Sequence, residues 1–294
     1  MYAAIETTNC FNSFLRGWKA VETASSLLAF GTRLKPGANE EAAYTRFRFA
    51  RRSPNFIGLL RELGIKRTFR PRSSLRMTQP QIIERCRLPS PATTPQALAW
   101  DIQNKTLWMG SRDLRRIYAI DPKNGTVLKQ QEAPGIPWAA VALNGELRFT
   151  IGEDADDDRY IYRYAPEAGF SKMFACPEFT GSYLSFDGQN LYMSQWHKKR
   201  VLMFDDQGNV IREIKVGAEI CGHGFANGSL YVLRGQEKPN EDWRIARLNP
   251  QEEMPAVEDI AVVPFACRSL TFDGESFWSN HRAKGTIISF SLPN

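Results

Sequence analysis

The chain has three histidines, His197, His223 and His281, and each stands beside polar or charged residues at related places in a recurring pattern. Imidazole is the side chain that exchanges protons near neutral pH, and it is a common ligand of divalent metals. His197 and His281 lie among Lys198, Lys199, Arg200 and Arg282, whose charge opposes a cation. No closely spaced His pair or CxxC motif strengthens a metal site, so no cofactor is expected, with a divalent metal held by the three histidines as the alternative. Without a metal, His223 reads as a proton donor or acceptor in a cationic pocket for an anionic ligand.

The other candidates fall into two sets. Gln96, Trp138, Tyr183, His223 and Arg268 each precede an alternating apolar run. Arg112, Glu153, Gln195, Trp196, Arg234, Asn280 and His281 follow the run that comes after it. Chemically the set supplies proton transfer (Glu153, His223), carboxylate holders (Arg234, Arg268) and aromatic walls (Trp138, Trp196), while Gln96, Arg112, Tyr183, Gln195, Asn280 and His281 complete the substrate-binding candidates. Residues 153–158 (EDADDD) crowd oxygen ligands but lack the Gly and closing Glu of a calcium loop, and read as a solvated acidic turn. No phosphate loop, dinucleotide Gly fingerprint or nucleophile-elbow serine is present.

The elements that must position these residues repeat. Ser182 to Ser194 (SYLSFDGQNLYMS) is two alternating runs around Asp187-Gly188, a hairpin pattern. The same unit recurs with turn residues Asp101, Asn144, Asp187, Asn227 and Asp273, at steps of 43, 43, 40 and 46. A third and fourth run follow the hairpin, giving four strands per unit of roughly 40–50 residues, the signature of a propeller blade. The chain ends after the third run of the last repeat, whereas residues 80–88 (PQIIERCRL) form an orphan run before the first. An open blade edge exposes unpaired backbone groups. The expectation is an all-β, five-bladed β-propeller over 77–294, closed by the segment 81–88 pairing onto the last blade.

Residues 1–76 carry net charge +9 and residues 77–294 carry −3, a basic leader on a mildly acidic body. Arg46, Arg48, Arg51 and Arg52 flank Phe47 and Phe49, yet the leader has no repeat and little alternation, so it reads as disordered or as lying outside the native protein, with Met77 as the true start. No apolar run reaches membrane-spanning length. Five scattered cysteines without a secretion signal favour reduced thiols and a cytoplasmic setting. The expected partner of the propeller is a small-molecule ligand rather than nucleic acid or membrane, and the expected state is a monomer.

Thr94-Pro95-Gln96-Ala97-Leu98 resembles the Phe-Thr-Gln-Gly-Leu signature of the plant-type glutamine cyclotransferases, a five-bladed propeller family also found in bacteria. The resemblance covers residues 77–294 and places Gln96 at the family's substrate-facing glutamine. It implies cyclisation of an N-terminal glutamine with loss of ammonia, a transferase chemistry that needs a proton shuttle. The family's glutamate strand corresponds to Pro137-Trp138-Ala139-Ala140, with Trp138 where the glutamate stands, and Cys221-Gly222-His223-Gly224 replaces its Asn-Glu-Leu. The functional expectation is therefore a cyclotransferase-like propeller binding a small polar or anionic, amino-acid or amide-like molecule in the central pocket, with or without acid–base transferase or lyase chemistry. The alternatives are a non-catalytic ligand sensor or scaffold, and a metal-dependent lyase or hydrolase.

Overall fold

The computed structural model describes residues 79–153 and 158–293. The leader, Met77 and residues 154–157 of the acidic turn lie outside the described residues.

An orphan strand, β1 (Ile83–Pro89), comes first. Blade 1 is β2 (Pro95–Asp101), β3 (Thr106–Ser111), β4 (Arg116–Ile120) and β5 (Val127–Glu132). Blade 2 is β6 (Ile136–Leu143), β7 (Glu146–Gly152), β8 (Arg159–Ala165) and β9 (Gly169–Ala175). Blade 3 is β10 (Leu184–Phe186), β11 (Leu191–Gln195), β12 (Arg200–Phe204) and β13 (Val210–Lys215). Blade 4 is β14 (Glu219–Ala226), β15 (Ser229–Gln236), β16 (Asp242–Leu248) and β17 (Glu258–Val263). Blade 5 is β18 (Cys267–Phe272), β19 (Phe277–His281) and β20 (Thr286–Ser291), completed by β1. All five sheets are four-stranded and antiparallel.

A shared irregularity marks β1 as a true outer strand. In each of β5, β9, β13 and β17 one extra residue interrupts the ladder: Leu128, Met173, Ile211 and Ile260. The closing strand carries the same bulge at Arg85 against β20. A bulge turns its extra residue away from the pleat, which accounts for the exposure of Leu128, Met173 and Ile211. The closing segment differs from expectation at its start. Gln81 does not join the β20 ladder; it bridges in parallel to Val262 of β17, with Ile82 N–H donating to Val262 O at 3.1 Å and Val262 N–H to Pro80 O at 2.9 Å. The segment thus ties blade 4 to blade 5 as well as completing the latter.

Alternation along the strands serves two interfaces. Ala97 and Ala99 pack toward blade 2 with Phe149 and Tyr164, whereas Leu98 between them packs toward blade 5 with Trp278 and Ile287. Successive side chains of a strand point to opposite faces, and here both faces meet a neighbouring blade. The core is accordingly five apolar clusters, one at each blade junction. Among the described residues no helix is long and apolar enough to cross a membrane.

Candidate functional site

The innermost strands begin with a second set of bulges. Opposite their hairpin partners, Gln96 in β2, Trp138 in β6 and Cys221 in β14 are each one residue too many, and β18 gains one between Arg268 and Thr271. In blade 3, Ser182 and Tyr183 both engage Ser194 just before β10. Bulges re-aim side chains and recur beside functional sites. Here they gather residues of several blades at one end of the central channel.

Gln96 is almost fully buried there, and its Nε2 donates to the Tyr183 hydroxyl at 3.1 Å and to Trp138 O at 3.4 Å. Its Oε1 accepts from the Arg282 guanidinium. Arg268, with 1% of its side-chain surface exposed, donates to Glu237 Oε1 at 2.7 Å, Glu241 Oε2 at 3.0 Å and Cys267 O at 2.6 Å. Its guanidinium carbon lies 5.3 Å from the Trp196 ring centre and 5.6 Å from that of Trp243. The Trp243 N–H in turn donates to Glu241 at 2.5 Å. Trp138 takes guanidinium groups on its ring, Arg159 at 4.1 Å and Arg112 at 5.2 Å. Burial disfavours the Arg282 cation, and the positive charges of Arg268 and Arg112 push its pKa further down. Burial raises the Tyr183 phenol well above its usual range, so it stays neutral and keeps its proton to donate.

The structure thus brings together Gln96, Arg112, Trp138, Tyr183, Trp196 and Arg268 of the expected set. Six others stand apart. His223 is fully buried in the middle of β14. Its Nε2 lies 3.0 Å from Tyr183 O and its Nδ1 2.7 Å from Ser185 Oγ. A carbonyl only accepts, so Nε2 carries the proton and Nδ1 accepts from the serine. Burial lowers its pKa to about 4, and it holds blades 3 and 4 together as a neutral ring. His223 lies two residues past the strand-start position; Cys221, six residues before the Asn227 turn as Trp138 is six before Asn144, is the residue matching Gln96 and Trp138.

Glu153 is held by Lys172 of the outer strand β9 and by the Tyr162 hydroxyl, and the Lys172 hydrogen bond first, then that of Tyr162, keeps its carboxyl below the usual range. Gln195 is buried and pins the 177–180 turn, donating to Pro177 O at 2.9 Å and Thr180 O at 3.1 Å. Arg234 pairs with Asp259 of β17 at 2.7 Å and donates to Val216 O. Asn280 straps blade 5 to blade 1 through Gln96 O and Ala97 O. His281 stacks on Phe265 at 5.1 Å, and burial, then the charges of Arg87 and Lys284, lower its pKa. The exposed His197 packs edge-on against Trp196, so the three histidines do not converge, and no group of three metal-ligating side chains exists among the described residues.

Sequence reasoning missed Arg282, Glu237, Glu241, Trp243 and Arg159 as site residues. Arg282 adjoins the candidate His281 and Glu237 follows the candidate Arg234 by three residues; the other three carry no pattern that separates them from surface charge or core aromatics. Away from the mouth, a cavity of about 110 Å3 is lined by inner-strand residues such as Trp100, Ala140, Ser185, Leu270 and Thr271, none of them charged.

The fold is shared with a glutaminyl cyclase. The crystal structure of the Myxococcus xanthus enzyme superimposes with a TM-score of 0.56 at 9% identity, covering 73% of this chain and 98% of that one. A gluconolactonase from Xanthomonas campestris superimposes at 0.50 with 14% identity, covering 74% and 85%. No family model and no curated protein matches the sequence. At these identities the likeness concerns the propeller alone, because one fold hosts many functions.

Proposed function

We propose that this propeller binds a small anionic, amino-acid- or amide-like molecule at the channel mouth formed by Gln96, Arg112, Trp138, Trp196, Arg268 and Arg282. The observation that carries the reading is Arg282. Only 22% of its side-chain surface is exposed, its Nε is buried without a hydrogen-bond partner, and its nearest carboxylate, Glu237, stands 3.8 Å away. A buried guanidinium with an unsatisfied N–H is costly unless something accepts from it. Arg112, Arg268 and Arg282 converge here, and among the described residues Arg112 has no carboxylate within ion-pair distance. The converging guanidiniums favour an anion, and the Trp138 and Trp196 rings supply apolar walls.

This reading is of binding first. The two proton-transfer candidates, Glu153 and His223, are engaged elsewhere, and Trp138 stands in place of the cyclotransferase glutamate. The test is calorimetry of the full chain with a panel of amino acids, N-acyl amino acids and amides at fixed ionic strength, beside Arg282→Met. Binding of an anionic member that weakens at least about tenfold in the variant is expected, the loss of one charge-assisted contact. Failure of every anion to bind, or equal binding by the variant, rejects the reading.

A further inference from the structure

We propose that the Glu237 carboxylate occupies the seat meant for the ligand, so that the mouth is a carboxylate site held shut by its own loop. The inference rests on the anion-binding reading above and assigns both the ligand's acidic group and how it is admitted. Glu237 Oε1 lies 2.7 Å from Arg268 Nη2 and 3.8 Å from Arg282 Nη1, one carboxylate oxygen between two guanidiniums of blade 5. Glu237 opens the five-residue connection 237–241 between β15 and β16, and 38% of its side-chain surface is exposed. The rest of its anchoring is through the main chain, its N–H donating to Glu219 Oε2 at 2.9 Å.

The second carboxylate behaves differently. Glu241 is tied both to Arg268 at 3.0 Å and to the Trp243 N–H at 2.5 Å. When Glu237 swings out, Arg268 therefore keeps a partner in Glu241, while Arg282 loses its nearest carboxylate and is left for the incoming group. An incoming carboxylate restores the contacts to Arg268 and Arg282, while Glu237 passes into water. The exchange is one monoanion for another. The seat already holds a planar carboxylate, so another carboxylate enters it without rearrangement, whereas a tetrahedral phosphate does not reproduce that geometry. Because Glu237 is tethered, it competes at a high effective concentration, and only the fraction of molecules with the loop open binds ligand; apparent affinity falls by that fraction.

The experiment compares the full-length chain with Glu237→Gln and Glu237→Ala, using benzoate, acetate and inorganic phosphate as probes. Readouts are calorimetry and Trp fluorescence, since Trp196 and Trp243 flank Arg268. Glu258→Gln, on the outer edge where Glu258 pairs with Arg247, serves as the control. The expected result is that both Glu237 variants bind benzoate and acetate about tenfold or more tightly than wild type, with no gain for phosphate and none in the control. Carboxylate binding that is unchanged in the Glu237 variants but lost in Arg282→Met overturns the competitor and leaves the anion site standing. Weaker carboxylate binding in the Glu237 variants also overturns it, because Glu237 would then be a ligand contact. An equal gain for phosphate overturns the carboxylate assignment. No binding of any probe by any form overturns both readings.

Discussion

The Gln96 amide donates to the Tyr183 hydroxyl at 3.1 Å, joining blade 1 to blade 3 past the blade between them. Both side chains are almost wholly buried, and the other end of the amide accepts from Arg282. With its contact to Trp138 O, one glutamine thus couples four blades at the channel mouth. Tyr183→Phe removes the acceptor and leaves the buried amide with only the longer contact to Trp138 O. The variant should lose about 1–3 kcal/mol in urea unfolding, the cost of an unsatisfied buried donor. An unchanged midpoint would show that the bond adds nothing to ring closure.

The neutral His223 makes stability depend on pH. Its pKa falls from 6.5 to about 4 on folding because burial disfavours the cation. The unfolded chain therefore binds more protons than the folded one between these values. The contribution is fully present above about pH 6.5 and is lost as pH falls toward 4, by on the order of 3 kcal/mol at one tenfold step per 1.36 kcal/mol. His223→Gln should flatten urea midpoints over that window. A slope equally steep in the variant would assign the effect to other groups.

The closing strand is tested by two of its residues. Leu88 is buried against Trp278, Ile287 and Tyr118, whereas Ile83 is 45% exposed at the strand's beginning. Leu88→Ala should cost about 2–4 kcal/mol, and Ile83→Ala less than about 1 kcal/mol. Equal effects in thermal melts would mean that the Leu88 end of β1 does not pack into the junction of blades 5 and 1.

Cys221 and Cys267 face each other at the junction of blades 4 and 5, Sγ to Sγ 3.3 Å, both fully buried. Burial, and then the neighbouring Cys267, pushes the Cys221 thiol well above its ordinary range, and burial pushes Cys176 up to about 12. Thiolate is the reactive form, so native protein treated with iodoacetamide should be labelled at Cys86, the half-buried one of the described four, well before the others. Mass spectrometry of digests reads this directly; early modification of Cys221 or Cys267 would reveal opening of that blade junction.

Repetition made the fold legible in the chain itself. Asp-Gly and Asn-Gly turns at near-constant spacing, joining alternating runs, specify a repeated hairpin unit; that both faces of each sheet are buried, as Ala97 and Leu98 show, comes from the ring. An orphan run before the first repeat and a missing one after the last require closure between them. These are local and periodic signals, and each blade reports them independently. The site was legible only as a set of loops and strand starts. The small, apolar Cys221 gives no polar signal, so His223 passed for a mouth residue while Cys221, six residues before Asn227 as Trp138 is six before Asn144, held that place. Partners are chosen across strands and blades: Arg234 turns to Asp259 and Glu153 to Lys172, each in the outer strand of its own blade, while Arg282 donates to the Gln96 amide of another blade, 186 positions away in the chain. Only the closed ring decides which of the many arginines and carboxylates neutralise one another and which remain facing the channel.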